Sequence, residues 1–277
     1  MDLKPHRFNH LTAEWEPASP AQPAQAAQLT CATFNVWFGE FYQEERAEAL
    51  LDLLERCDAD VIALQEVTLR LLRRILARPW VRAGYALSDV IGATVQPYGV
   101  LLLTHATPRR LTLERLPSLR NRNMLAAELD LNGQITAAAT VHLESGRTSA
   151  GLRGAQLAKL FPALAAAPHA LLMGDFNFCS SWRAENDLLD PAYQDVWPVL
   201  NGDAPGYTED TDINLMRLEQ KGKPKQVRFD RVLLRSGSPG WQPTAIELLG
   251  TAPIAPWLPH VFPSDHFGLR ANLRWEF

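Results

Sequence analysis

Five short polar segments occur along this chain, and each is attached to an apolar run with the character of a β-strand. A charged or amide side chain next to such a run needs a partner, since burial of an unpaired polar group is costly. We therefore expect these segments to lie where core strands leave the core, and to meet in one pocket. The segments are Asn35 in TFNVWF, Gln65-Glu66 in DVIALQEV, Asp175-Phe176-Asn177 in LLMGDFN, Asp230 in VRFDRVLL and Ser264-Asp265-His266 in FPSDHFGL.

The composition describes a globular chain that can bury a large core. It has 277 residues, of which 47% are hydrophobic, and this length is near the upper end for one domain. A net charge of -4 argues against coating nucleic acid along an extended basic groove, but it allows a local grip on one end of a strand. The three cysteines form no CxxC pair, so we expect reduced thiols and neither a disulfide framework nor a zinc cluster.

The chain carries no signal for a membrane or for secretion. No apolar run approaches the ~20 residues that a membrane-spanning helix needs. The first ten residues, MDLKPHRFNH, are too polar for a secretory signal. We therefore expect a cytoplasmic protein that does not associate with a membrane.

The order of the segments predicts an α/β fold. Residues 1–28, with the stretch PASPAQPAQAAQ, are expected to form a flexible arm, and residues 29–277 one domain. DVIALQEV is apolar on both faces, as in a central strand, and Asn132-Gly133 is typical of a hairpin turn. Helical spacing appears in three stretches. Because hairpins are mixed with helical crossovers, two mixed sheets in an α/β sandwich fit better than a doubly wound parallel sheet. The helical stretches are 44–57, 69–80 (ending at Pro79) and 150–167.

The carboxylates at the strand ends predict metal chemistry. Glu66 follows a buried apolar run and could be a ligand for Mg²⁺, although a strand-end glutamate in a salt bridge would look the same. Asp175 and Asn177 are two positions apart, so their side chains leave one face of an extended segment. Such a pair could hold a water molecule and donate to a phosphate, or it could merely cap a turn.

Two histidines complete the predicted chemistry. A histidinium that stabilises phosphate charge needs a carboxylate on its far nitrogen, and Asp230 is the candidate partner of His266. His142 and Ser145 in TVHLES could donate to phosphate, and Arg122 could clamp one. Each pattern alone is also compatible with a turn or surface residue. Taken together and in this order, they favour metal-assisted phosphodiester hydrolysis.

The same residues resemble a known superfamily. SDH and GDxN are motifs of the endonuclease/exonuclease/phosphatase superfamily, and the chain is similar to it from Leu29 to its end. THAT at 104–107, HLES at 142–145, RFDR at 228–231 and PSDHFGL at 263–269 are most similar to the 5'-tyrosyl-DNA phosphodiesterase branch. The resemblance implies a DNase I-like four-layer α/β sandwich, with two mixed sheets packed face to face and flanked by helices.

The resemblance also implies roles for individual residues. The metal would be Mg²⁺, with Mn²⁺ as the alternative, and the substrate would be the 5' end of single-stranded DNA, in DNA repair. No protein partner is implied, and a monomer is expected. The implied metal ligands are Glu66, Asn35 and Asp265. The implied catalytic residues are Asp175 for the attacking water, His266 with Asp230 for the transition state, and Asn177 and His142 for the phosphate. The implied substrate-binding residues are Ser145, Arg122 and Tyr207.

Two departures from the branch leave the leaving group open. FCSS follows GDFN where the branch has an Arg-Asp pair, and the lysine-rich residues 206–226 match its Trp-Asp-Thr stretch only loosely. One alternative is therefore a phosphatase or phosphodiesterase that acts on a small phosphorylated metabolite or a lipid head group. A second alternative is a binding module that keeps the fold without catalysis, which the intact catalytic segments disfavour.

Overall fold

The computed structural model describes all 277 residues and contains seventeen strands, seven α-helices and one 3-10 helix at Arg147–Ser149. The strands are β1 Asp2–Leu3, β2 His6–Asn9, β3 Glu14–Pro17, β4 Gln28–Asn35, β5 Val61–Val67, β6 Ala86–Leu87, β7 Gly99–Thr104, β8 Arg110–Arg115, β9 Asn123–Leu131, β10 Gln134–His142, β11 His169–Asp175, β12 Gln194–Asp195, β13 Glu209–Asp210, β14 Gln226–Val227, β15 Asp230–Arg235, β16 Gly240–Leu249 and β17 Gly268–Glu276. The helices are α1 Gln43–Cys57, α2 Leu69–Ala77, α3 Pro79–Gly84, α4 Ala150–Leu164, α5 Arg183–Asn186, α6 Val196–Asn201 and α7 Leu215–Lys221.

Most strands belong to two mixed sheets. The first sheet has the order β1-β8-β9-β10-β11-β15-β12, and the second has the order β16-β17-β4-β5-β7-β6-β2-β3. In each sheet one pair is parallel, β10 with β11 and β4 with β5. All other pairs in the two sheets are antiparallel, including the hairpin predicted at Asn132-Gly133, which joins β9 to β10.

The two sheets pack face to face and are flanked by helices. The central apolar cluster combines residues of both sheets, such as Val61 and Ala63 from β5 with Leu171 and Met173 from β11. A second cluster joins the outer face of the second sheet to α1 and α2, and a third joins the first sheet to α4. The predicted four-layer α/β sandwich is thus confirmed. No helix is both long and apolar enough to cross a lipid bilayer.

The strand patterns follow from burial on two faces. In β5, Val61 and Ala63 enter the cluster between the sheets, whereas Ile62 and Leu64 enter the cluster under the helices. Alternate side chains of a strand point to opposite faces, so a strand between two apolar layers needs apolar residues throughout. This explains why a continuous apolar run leads up to Glu66.

The proline predicted to end the second helix also begins a third. α2 ends at Ala77, and Pro79 is the first residue of α3. Proline suits this position because its missing N–H would have no partner in the first helical turn.

Residues 1–28 were expected to form a flexible arm, but residues 2–17 contain three strands that pair with the two sheets. β1 pairs with β8 of the first sheet, and β2 and β3 form the edge of the second sheet. The Arg7 side chain donates to Thr107 Oγ1 at 2.6 Å, which fixes this edge to the domain. These partners lie about a hundred positions away in the chain, so local composition could not reveal them.

A buried arginine fixes the loop that follows β4. The Arg46 guanidinium is almost fully buried in α1, and burial lowers its pKa to about 10. It donates hydrogen bonds to five backbone carbonyls, which are shielded from water and need such donors. Arg46 therefore ties the loop after β4 to the segment before β17. The acceptors are the carbonyl oxygens of Val36, Trp37, Gly39, Phe41 and Pro263.

Gly174 allows the end of β11 to approach β10 closely. Its φ is +134°, and a Cβ built on it would lie 2.0 Å from the carbonyl oxygen of Val141. Only glycine adopts this backbone conformation without strain, and no side chain fits the gap. The residue that follows, Asp175, owes its position to this contact.

Substitution of Gly174 should therefore destabilise the fold. Gly174→Ala is expected to lower the free energy of unfolding by about 3 kcal/mol or more, because strain and overpacking add. The control is Gly151→Ala in α4, where a Cβ meets nothing within 4 Å, and the expected change is neutral or stabilising by up to about 1 kcal/mol. Urea unfolding of both variants measures the difference, and equal stabilities would contradict this role of Gly174.

Candidate active site

The predicted catalytic and metal-binding residues meet where strands of both sheets end. Asn35 is the last residue of β4, and Asp175 is the last residue of β11. Asp230 opens β15, and His266 lies two positions before β17. Asp175 and Asp230 are paired directly across the ladder between β11 and β15. Two carboxylates in this arrangement repel each other unless a cation lies between them.

Asn35 links the two sheets at this point. Its amide nitrogen lies 3.0 Å from Asp175 Oδ2 and 3.4 Å from Glu66 Oε1. Its oxygen accepts a hydrogen bond from the Trp37 N–H at 3.1 Å. Asn35 was predicted as a metal ligand, but it directs its N–H groups at the carboxylates. In this geometry it holds two carboxylates in place and offers no free oxygen to a cation.

An irregularity in β5 presents Glu66. The pairing with β7 shifts register between Leu64 and Val67, and Glu66 has a φ of +63°. A non-glycine residue in the left-handed region is strained, and such strain persists where the surroundings enforce it. Glu66 Oε2 accepts the N–H of Phe38 at 3.2 Å, which holds the carboxylate at the rim of the site. The apolar run predicted a glutamate at the end of a strand, but it did not indicate the left-handed backbone at this residue.

Asp175 and Asn177 form one hydrogen-bonded unit. Asn177 also has a left-handed backbone, with φ 55°. Its N–H donates to Asp175 Oδ1 at 2.8 Å, and its side-chain amide lies 3.2 Å from Asp175 Oδ2 and 3.1 Å from the carbonyl oxygen of Leu143. Asp175 is buried, whereas Asn177 is partly exposed toward a groove. These hydrogen bonds are those of a turn cap, and the role of the pair toward water and phosphate stays a prediction.

His266 is oriented by Asp230, as predicted. Its Nδ1 lies 2.8 Å from Asp230 Oδ2, and the Asp230 N–H donates to Thr208 Oγ1 at 3.1 Å. Burial alone would lower the pKa of His266, but the carboxylates of Asp230, Glu209 and Asp175 outweigh it and raise the pKa well above its usual value. His266 is therefore an imidazolium, and it supplies the cation that the facing aspartates require.

His142 is a neutral donor. Its Nδ1 lies 2.6 Å from the Arg122 guanidinium, which can only donate, so the ring proton must be on Nε2. Nε2 lies 3.3 Å from Asp175 Oδ2 and 3.9 Å from Glu66 Oε1. Burial, followed by the positive charges of Arg122 and His266, lowers the pKa of His142 well below its usual value. Arg122, predicted to clamp a phosphate, is buried and directs its guanidinium at this histidine.

An open groove of about 590 Å³ begins at Asn177. Ser145, predicted to bind substrate, is half-buried at its wall, and its hydroxyl makes no hydrogen bond within the protein. Two aromatic and two basic side chains also line the wall. Tyr207, also predicted to bind substrate, is not part of this wall and makes no hydrogen bond to a residue of the site. The wall includes Ser145, Arg147, Asn177, Trp182, Lys225 and Phe229.

Glu66 and Asp265 fit a divalent cation. Asp265 is 7% exposed, yet its carboxylate accepts no hydrogen bond from the protein. Burial raises the pKa of both carboxyl groups, and the negative charge of Asp265 raises that of Glu66 further. Two buried carboxylates with so few protein donors need a compensating charge. Hard cations such as Mg²⁺ bind through one or two carboxylates and retain waters or take phosphate oxygens.

Asp175, Asp230 and His266 form a second group of ligand-type atoms, which lie within 4.8 Å of one another. The carboxylates of Asp230, Glu209 and Asp175 raise the pKa of His266, so the imidazole itself can bring positive charge to this group. Because a histidine binds a metal through its neutral imidazole, a cation at this position would compete with the proton of His266.

Sequence reasoning missed two residues that complete the site, Thr208 and Glu209, and it named Lys225 only within the lysine-rich stretch 206–226. The Thr208 hydroxyl accepts the Asp230 N–H. Glu209 Oε1 lies 3.6 Å from His266 Nε2, and the same oxygen lies 2.5 Å from Lys225 Nζ. All three residues lie in 206–226, the stretch that departs from the 5'-tyrosyl-DNA phosphodiesterase branch. That departure was the one signal for Thr208 and Glu209, since neither follows a long apolar strand.

Comparison with known proteins agrees with this geometry. Tyrosyl-DNA phosphodiesterase 2 of Xenopus laevis is 28% identical over 250 residues, covering 86% of this chain and 65% of that protein. The Homo sapiens protein of the same name is 28% identical over 239 residues, with 83% and 63% coverage. This chain therefore spans somewhat less than two thirds of these relatives.

Solved structures show the same fold. The structure of D. rerio TDP2 complexed with a single-strand DNA product superimposes with a TM-score of 0.77 at 23% identity, covering 90% of this chain and all of that one. A mannosyl-6-phosphatase from Bacteroides thetaiotaomicron superimposes with a TM-score of 0.69 at 16% identity, covering 89% of this chain and all of that one.

A family profile covers most of the chain and includes Asn35, Glu66, Asp175 and His266. It matches residues 32–266, from β4 to His266. The chain belongs to the endonuclease/exonuclease/phosphatase family.

Proposed function

We propose that this protein is a metal-dependent phosphodiesterase that hydrolyses 5'-phosphotyrosyl DNA in the repair of DNA ends. The observation that carries the proposal is the arrangement around Asp175. The imidazole of His266 and the neutral N–H donors of His142 and Asn177 lie near it. Glu66 and Asp265 are carboxylates without an ion-pair partner, and a groove leads away from Asn177. The names of the relatives support the tyrosyl-DNA substrate. The wider family also contains phosphatases, and the groove distinguishes this site from a closed pocket for a small metabolite.

The proposed metal is Mg²⁺, with Mn²⁺ as the alternative, held by Glu66 and Asp265. When bound, such a cation neutralises charge on the phosphate and on the leaving oxygen. Asn35 and the Phe38 N–H orient the Glu66 carboxylate for this role.

Asp175 is the proposed base for the attacking water. Its carboxylate is fixed by Asn35 and by the Asn177 N–H. Burial raises its pKa, and the positive charge of His266 only partly opposes this effect. A carboxylate with a raised pKa is a better proton acceptor near neutral pH.

Three donors are proposed to stabilise the pentacovalent phosphate. His266 carries a full charge, and its Nε2 is not engaged by Asp230. Asn177 and His142 add neutral N–H groups beside Asp175. Donors fixed before the reaction stabilise charge as it develops, and the protein does not need to rearrange.

The groove is proposed to bind the DNA strand. Trp182 and Phe229 lie in its wall with ring centroids 5.9 Å apart, and aromatic side chains bind single-stranded bases by stacking. A tyrosyl leaving group has an ordinary pKa of about 10, so its departure demands little protonation. Action as a monomer in the cytoplasm remains a prediction from the sequence.

The substrate class can be tested directly. The purified protein with Mg²⁺ is expected to hydrolyse a 5'-phosphotyrosyl oligonucleotide with a higher kcat/KM than inositol phosphates or sphingomyelin. Phosphotyrosine release and chromatography of the products measure the rates. A clear preference for either small substrate would contradict the proposal and favour the metabolite or lipid alternative.

Asp175→Asn tests the base. The variant keeps the size of the side chain and one acceptor oxygen but loses the proton-accepting carboxylate, so kcat should fall by about 10²- to 10⁴-fold. Its thermal unfolding midpoint should remain close to that of the parent protein. The control is Asp203→Asn, an exposed aspartate in the loop after α6, which should leave kcat unchanged. Turnover of Asp175→Asn at the parent's rate would refute this assignment.

Glu66→Gln tests the metal site. Loss of one carboxylate charge should weaken Mg²⁺ binding by at least about tenfold. Isothermal titration calorimetry of Mg²⁺ with the DNA-free protein measures the affinity independently of turnover. Glu55→Gln, at an exposed position of α1, is the matched control. Equal Mg²⁺ affinities of the two variants would place the metal elsewhere.

A further inference from the structure

We propose that Lys225, positioned by the buried carboxylate of Glu209, binds the second phosphate of the DNA strand, the one next to the scissile phosphate along the groove. The inference rests on the proposed function, since it takes a nucleic acid strand as the substrate. It assigns a binding role to Lys225 and a positioning role to Glu209.

Glu209 gathers two cations at the edge of the site. It is 3% exposed, and its two oxygens are engaged separately, with Oε1 2.5 Å from Lys225 Nζ and Oε2 2.7 Å from Arg217 Nε. A buried carboxylate is tolerated when it is paired and hydrogen-bonded in this way. The three side chains carry a net positive charge. They therefore attract a phosphate, whereas an unpaired Glu209 at this position would repel one.

Lys225 is held rigidly but remains accessible. Its N–H donates to Thr211 Oγ1 at 2.8 Å, and its carbonyl accepts the Thr211 N–H at 2.9 Å. Its Nζ lies 4.2 Å from the centroid of the Phe229 ring, and 28% of the side chain is exposed. An ammonium group has three N–H donors, of which Glu209 occupies one. The ammonium is thus directed along the groove wall with donors to spare.

The position of Lys225 points to the second phosphate and not to the scissile one. Glu209 Oε1 lies between the lysine and the catalytic histidine, 3.6 Å from His266 Nε2. The lysine is thereby separated from the His266 position by a carboxylate oxygen. It shares the groove with Ser145 and Asn177, and the Asn177 side chain contacts Asp175. A strand held by Asn177 at its 5'-phosphate would pass Lys225 next.

Two chromogenic substrates separate these positions. Thymidine 5'-(p-nitrophenyl phosphate) carries only the scissile phosphate, whereas a short oligothymidylate with the same 5' ester carries further phosphates. Lys225→Gln is expected to raise KM for the oligonucleotide by about tenfold more than for the mononucleotide, because one charge-assisted hydrogen bond is lost. The dependence of log KM on log salt should also become shallower by about 0.7 for the oligonucleotide. Lys223→Gln, at an exposed lysine of the same loop, should leave the ratio of the two KM values unchanged.

Binding without turnover provides a second measurement. Fluorescence anisotropy with a 5'-phosphorylated oligothymidylate should show a similar loss of affinity in Lys225→Gln. Glu209→Gln should reproduce this loss if the variant folds, and the double variant should lose no more than the worse single variant. An equal rise in KM for both chromogenic substrates would indicate that Lys225 contacts the scissile phosphate. No rise in either KM would indicate that Lys225 does not contact the substrate. Either result overturns the inference.

The two proposals fail in different ways. A parent protein that binds the phosphorylated oligonucleotide in a Lys225-dependent manner, yet cleaves neither ester, would refute the proposed function and support the assignment of Lys225. A parent protein that cleaves both esters with no effect of Lys225→Gln would refute only the assignment. A parent protein that neither cleaves the esters nor binds the oligonucleotide would refute both.

Discussion

The contact between Asn35 and the carboxylates of Glu66 and Asp175 is the interaction on which the site depends. Glu66 belongs to one sheet and Asp175 to the other, and both are ionisable groups in a buried place. Left alone they would repel each other and separate the strand ends. The amide of Asn35 donates to both carboxylates, and the Nε2–H of His142 lies 3.3 Å from Asp175 Oδ2 and 3.9 Å from Glu66 Oε1. Neutral donors at this position hold the carboxylates in place and leave their charges intact for a cation and a proton.

The charges of the site are balanced locally, independently of the net charge of the chain. The imidazolium of His266 compensates Asp230 and Asp175, and Glu209 is compensated by Arg217 and Lys225. The carboxylates without such partners are Glu66 and Asp265, where the fit to a divalent cation is best. A net charge of -4 over the whole chain therefore says little about the field that a bound phosphate would meet, because neighbouring charges dominate at short range.

The sequence predicted the parts of the fold and of the site that depend on local pattern. Apolar runs predicted β4, β5 and β11, and polar residues at their ends correctly marked Asn35, Glu66 and Asp175 as neighbours. The pairing of His266 with Asp230 was also predicted, because a charged histidine needs a carboxylate on its far nitrogen.

The parts that the sequence could not predict depend on contacts between distant segments. The direction of the Asn35 amide is set by Trp37, and Arg122 is directed at His142 because a buried guanidinium needs an acceptor. The bulge at Glu66 and the edge strands before residue 18 arise from pairing with strands elsewhere.

The position of Glu209 in the site likewise depends on contacts between distant segments. Residues 206–226 are held by hydrogen bonds to the segment that precedes β17. The Thr208 carbonyl accepts the Phe267 N–H at 2.6 Å, and Asn214 donates to the Ser264 carbonyl at 2.8 Å. The stretch that carries Glu209 is thereby joined to the stretch that carries Asp265 and His266. Under the proposed function, a strand bound in the groove would contact the same hydrogen-bonded unit that holds His266, and substrate binding would be coupled to the position of that imidazole.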